Sequence, residues 1–201
     1  MKLNPNAHQI EIGCDDWDEP LLLTEGTTHS APKSITEANQ HTVPPVELLS
    51  INHQVVLTHT LIHYSALQGF DQAETDIDQL TPTELSLYFT SSEQIRQINL
   101  DYRGKDKPTN VLSFESELPA EILTELAYQP LGELVFSLEV IRAEAEDQGK
   151  TLTDHYTHLL VHGCLHLLGL DHETGAADQA QMEALEIKIL ASFGIADPYQ
   201  D

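Results

Sequence analysis

The sequence predicts an α/β or α+β domain built around one sheet. Short stretches alternate polar and apolar residues, as half-buried strands do. Longer stretches carry apolar residues at helical spacing, and several of them are closed by glycine. The 201 residues, 40% of them hydrophobic, suit a single domain, since a chain near this length removes roughly 70% of its unfolded surface from water.

Taken in order, HQIEIGC at 8–14 alternates and predicts a first strand. From about 15 to 45 the chain is rich in Thr, Ser, Pro and Asn without periodicity, and it reads as a mobile insertion. Residues 46–67 place Leu48, Leu49, Val55, Val56, Thr60, Ile62 and Leu67 at helical spacing and predict one helix. TELSLYFT at 83–90 alternates Leu85, Leu87 and Phe89 as a strand. Ser91 or Ser92 then starts a helix to about Leu100, with Gln94 where a capping box would use it. RGKDKPTN at 103–110 is a loop, VLSFE at 111–115 a strand, and 116–130 a polar excursion with a short helical turn. GELVFSL at 132–138 predicts the last strand, and 139–150 a helix of strong formers ended by Gly149. A helix capped by Thr153 or Asp154 runs to about Leu168, where Gly169 ends it. A final helix at about 176–193 offers Met182, Leu185, Ile189 and Leu190 to the core, with Gly194 closing it. No internal repeat is present.

Charge narrows the function classes. Thirty-three acids stand against nine Lys plus Arg, a formal net charge of -24. Such a surface repels nucleic acid non-specifically and disfavours anionic membranes. It favours basic protein partners. No apolar run approaches the roughly 20 residues that span a bilayer, and the first twenty residues lack an apolar signal core. The expected compartment is the cytoplasm, with Cys14 and Cys164 as free thiols. Arg96, Arg103, Lys105 and Lys107 crowd into twelve residues. They form either a solvated turn or a basic island that receives an anionic ligand.

The segment HGCLHLLGLDH at 162–172 carries the chemistry. His158, His162 and His166 stack along one helix face, yet His158 and His166 are roughly 12 Å apart along the axis and cannot share an ion. The i, i+4 pair needs a third ligand returning from a turn. Gly169 permits a sharp left-handed break that brings His172 back toward His166. The expected ligands are therefore His162, His166 and His172. Neutral imidazoles suit zinc, one ion per chain, and three protein ligands leave a position open for chemistry. Cys164, about 200° around the helix from His162, faces the core. His155 and His158 are left as supporting or solvent residues. The segment is similar to the H-E-x-x-H metallopeptidase motif, but Gly163 stands where that motif has its glutamate base. Peptidase chemistry is thereby disfavoured, and an uncompensated cation suits a phosphodiester.

With YRGKDKPTNVLSF at 102–114, LGELVFS at 131–137, EAEDQGK at 144–150, MEALEIKIL at 182–190 and PY at 198–199, this segment strongly resembles the YbeY family of bacterial rRNA maturation endoribonucleases. The resemblance runs in continuous order over about 84–199, while 1–83 match only in outline. Leu170 and Glu133 depart from the family's usual Tyr and Asp. The resemblance implies a single domain over 1–201 with one mostly parallel four-stranded sheet and helices packed around it. It implies zinc on His162, His166 and His172, and a functional arginine at Arg103. The implied activity is single-strand-specific, metal-dependent endoribonuclease cleavage in 16S rRNA 3′-end maturation and ribosome quality control. Single-stranded RNA, ribosomal RNA and the ribosome or small-subunit proteins are the expected partners; a membrane and DNA are not. On that reading Arg103 pairs with the scissile phosphate, and Lys105 and Lys107 steer the strand toward it. Two other readings remain open: a zinc hydrolase of a non-RNA substrate, and a non-catalytic ribosome-assembly factor with a structural metal.

Overall fold

Alternating side chains build the sheet. The computed structural model describes residues 8–15, 21–23, 42–69, 82–126, 128–172 and 175–200. Strands β1 (His8–Cys14), β2 (Leu21–Leu23), β3 (Thr83–Thr90), β4 (Val111–Glu115) and β5 (Gln129–Ser137) form one sheet in the order β2-β1-β3-β5-β4. The three central strands β1, β3 and β5 run parallel, and β2 and β4 pair antiparallel at the edges. All four expected strands are present, and β2 adds a fifth. It lies inside the expected insertion; an apolar run of three residues is too short to show alternation. Of that insertion, 16–20 and 24–41 lie outside the described residues, and with them the expectation of mobility.

Helices cover both faces, as an α/β sheet requires. One face carries the main core, where Ile10, Ile12, Leu85, Leu87, Phe89, Leu134 and Phe136 meet α2 (His53–Leu67), α6 (Leu152–Leu167) and α7 (Ala176–Ala191). On the other, Leu112 and Val135 pack with Ile95 of α3 (Ser92–Arg103). Leu134, Val135 and Phe136 are consecutive and all buried, so β5 loses alternation where both its faces are covered. α5 (Leu138–Asp147) follows β5 directly and contributes Leu138, Ile141 and Ala145 to the buried set. Among the described residues no helix is long and apolar enough to cross a membrane.

Several boundaries differ from the sequence reading, β5 among them, which starts at Gln129 rather than Gly132, and three have an identifiable local reason. The single helix expected over 46–67 is two, α1 (Val46–Leu49) and α2. Asn52 caps the second by accepting from the Val55 N–H at 3.1 Å, and Ser50 Oγ donates to the Glu47 carbonyl at 2.8 Å. Short polar side chains thus give the backbone an alternative to continuing the helix. α6 is capped by Thr151, whose hydroxyl accepts from the Asp154 N–H at 3.0 Å, so Asp154 is a capped residue rather than the cap. α3 runs three residues further than expected and places Arg103 at its last position, before Gly104 at φ 66°. The polar excursion does carry its helical turn, α4 (Ala120–Leu123).

Candidate metal centre

The site is built where α6 ends. Its inner face sends Tyr156, Leu160, Val161, Cys164 and Leu165 into the core. This leaves His158, His162 and His166 half-buried along another face, His162 and His166 lining a cleft shared with β4. The Leu170 N–H bonds to the Leu165 carbonyl at 3.0 Å and the Gly169 N–H to the His166 carbonyl at 2.8 Å, the paired bonds of a Schellman turn. Gly169 sits at φ 87°, which a side chain would strain. The turn swings the chain back, and His172 arrives beside the helical pair. Ring centroids of His162, His166 and His172 lie 4.7, 5.2 and 5.0 Å apart for the pairs 162/166, 162/172 and 166/172.

All three are half-buried, and each offers a ligand atom within 4.8 Å of the others. Three nitrogens around a tetrahedral zinc would sit roughly 3.4 Å apart, so the donor set fits with small ring rotations. Burial, and after it the charges of His162 and His172, hold His166 down to about 4, leaving it a neutral imidazole at neutral pH. Three imidazole nitrogens converging beside a cleft are a donor set that could hold a metal ion.

Gly163 has a structural cause. A Cβ there would meet the Leu134 methyls at 2.7 and 2.9 Å, so any larger residue would force the Leu134 side chain to shift. Cys164 is fully buried among core residues, and burial pushes its thiol up to about 12. It is no ligand.

Arg103 joins the histidines in one cleft of about 600 Å³, whose walls also carry Tyr102, Ser113, Asp171 and Leu170. Lys105 and Lys107 are exposed and do not line it. Their loop is fixed instead by Asn99, whose side-chain amide donates to the Lys107 carbonyl at 2.8 Å. Arg96 takes no part in a basic island: it pairs with Glu93 at 2.9 Å and with Asp106. A second hollow of about 480 Å³ lies across the centre and shares Asn110, His162 and His172 with the first. His155 is buried there, 2.9 Å from Glu144, and is no solvent residue.

Sequence reasoning missed Glu186. It lies fully buried on α7, with Oε1 2.7 Å from His162 Nδ1 and Oε2 3.0 Å from His158 Nε2. The Tyr199 hydroxyl donates to it as well. Burial alone would raise its carboxyl, but the bonds from His158, His162 and Tyr199 outweigh that and hold it down to about 2. A signal was available: Glu186 falls at i+4 from Met182 and beside Leu185, an acid within an apolar stripe.

The sequence model of the family described as Endoribonuclease YbeY matches residues 54–194. A protein named Endoribonuclease YbeY from Acinetobacter baylyi is 50% identical over 131 residues, 64% of this chain and 82% of that relative. One of the same name from Halorhodospira halophila is 52% identical over 118 residues, covering 59% and 75%, and one from Psychrobacter arcticus 47% identical over 133 residues, covering 66% and 65%. A solution structure from Thermotoga maritima aligns at a TM-score of 0.39 and 17% identity, over 76% of this chain and 96% of that one.

Proposed function

Since the chain belongs to the YbeY endoribonuclease family, we propose that it cleaves phosphodiester bonds in single-stranded RNA, with ribosomal RNA as its physiological substrate. The observation that carries this is the meeting of three histidines, spaced to share a metal ion, with Arg103 in one cleft. His162, His166 and His172 hold the metal, for which zinc suits the all-imidazole set, one ion per chain. When bound, it supplies Lewis acidity and a water of lowered pKa. Arg103 presents a planar fork of donors that pairs with two oxygens of the scissile phosphate and stabilises the charge gained in the transition state. Lys105 and Lys107, on the exposed loop beside it, act earlier, by drawing the phosphate backbone toward an otherwise acidic molecule. DNA is a poorer substrate on this reading, and the compartment is the cytoplasm, where ribosomes assemble.

The closing test pairs two assays. Purified protein should cut single-stranded RNA and spare duplex RNA and casein. In depleted cells, unprocessed 16S rRNA 3′ ends should accumulate and be corrected by the wild-type chain but not by His166→Ala. Cleavage of casein with RNA untouched would move the reading to a non-RNA hydrolase. Rescue by a folded, metal-free His166→Ala would instead favour a non-catalytic assembly factor, which the net charge of -24 would serve by docking basic ribosomal proteins. Product ends name the nucleophile: water leaves a linear phosphate, and the neighbouring 2′-hydroxyl leaves a 2′,3′-cyclic one.

A further inference from the structure

We infer that Glu186 is the positioning residue of the metal centre, fixing the tautomer and aim of His162, and that Tyr199 near the C-terminal end holds it in place. A carboxylate can only accept hydrogen bonds. Its 2.7 Å bond to His162 therefore puts the imidazole proton on Nδ1 and leaves the lone pair on Nε2 for a metal. The same logic puts a proton on His158 Nε2, 3.0 Å from the other oxygen. His158 is thereby committed to Glu186 and withdrawn from ligation.

A buried carboxylate lacking partners would be costly, so its place in the apolar stripe of α7 needs a reason. Here its oxygens take bonds from three side chains on two other segments, α6 and the 197–199 stretch. That stretch is itself pinned: Lys150 Nζ donates to the Pro198 carbonyl at 2.9 Å, and the Tyr199 N–H donates to Asp197 Oδ1 at 2.9 Å. The Tyr199 hydroxyl thus reaches Glu186 from a fixed base, and the carboxylate holds the half-buried ring of His162. The group His158, His162 and Glu186 has the composition of a second ion site. Its separations of 2.7 and 3.0 Å are those of hydrogen bonds.

The inference rests on the three histidines holding a metal and does not depend on RNA as substrate. Its test compares the full chain with Glu186→Gln, Glu186→Ala and Tyr199→Phe. Zinc affinity, read by competition with a chromophoric chelator, should fall about 10- to 100-fold for both Glu186 variants, and by less for Tyr199→Phe. In metal-free protein, nitrogen-15 imidazole spectra should show His162 protonated at Nδ1, and a tautomer mixture in Glu186→Gln. Should Glu186→Ala fail to fold, the isosteric Gln and Phe variants carry the comparison. An affinity within two-fold of wild type in Glu186→Gln, with the tautomer unchanged, overturns the proposal. So does a second zinc per wild-type chain that disappears with Glu186. Loss of RNA cleavage without these changes would bear on the functional reading alone.

Discussion

Arg103 and the histidines can be separated by what each substitution should leave intact. Arg103 is exposed at the end of α3 and buries no charge, so Arg103→Glu should fold and bind zinc as wild type does. Its RNA cleavage should drop about 100- to 1000-fold, the usual loss when one donor to a transition-state oxyanion is removed. Unchanged turnover at saturating metal would take Arg103 out of the site. His166→Ala should lose the ion altogether, whereas His158→Ala should keep about one zinc per chain by elemental analysis of untagged protein. Equal loss in both would mean that the ligand pair is 158/162. The meeting of His162, His166 and His172 was legible in sequence because helical spacing and Gly169 are local facts. Glu186 was not, because it comes from another helix and only packing of α7 on α6 brings it to His162. Lys105 and Lys107 show the converse: charge clustering in sequence does not say which cations face a cleft.

At the scale of elements, α6 packs tightly on β5, and Gly163 makes that approach possible. Restoring the glutamate of a metallopeptidase motif by Gly163→Glu should therefore produce no peptidase. It should drive a charged chain into Leu134, which is fully buried, combining overpacking with an unpaired buried charge. The expected loss exceeds about 3 kcal/mol, read as a fall in denaturation midpoint; a stable variant would show that α6 can lift off the sheet. Gly163→Ala is gentler, since better helix propensity offsets part of the clash. Gly132 is the other such contact, at φ 140° and with its missing Cβ directed at the Phe114 carbonyl. Periodicity found β1 and β3 at their observed ends because alternate residues along most of each strand are buried in the core. It failed at Ser50–Asn52, where side-chain hydrogen bonds to the backbone interrupt an apolar pattern that itself continues.

At the scale of the whole molecule, acid should act through two buried histidines before it acts through the carboxylates. His53 is buried with its Nε2 3.2 Å from the Tyr156 hydroxyl, and burial lowers its pKa to about 4. Burial holds His8 to about 4 as well. In the unfolded chain each takes up a proton near pH 6.5. Below that pH the unfolded state binds more protons than the folded one, so stability falls as pH drops from about 6.5 toward 4 and is whole above it. A shift of this size in a fully buried group corresponds to about 3 kcal/mol at the acid end of the window. The net charge of -24 works the other way, since protonating acids relieves their repulsion. That relief is centred near pH 4, where ordinary carboxylates titrate. Between pH 6.5 and 5 the histidines should therefore win, and chemical denaturation should show stability falling across that interval. His53→Gln keeps a hydrogen-bonding side chain without the titration. It should start lower at pH 7 yet lose less between pH 6.5 and 5 than wild type. Parallel pH profiles for the two proteins would mean that His53 accepts its proton in the folded state, and that the buried cluster around Tyr156 opens to admit it.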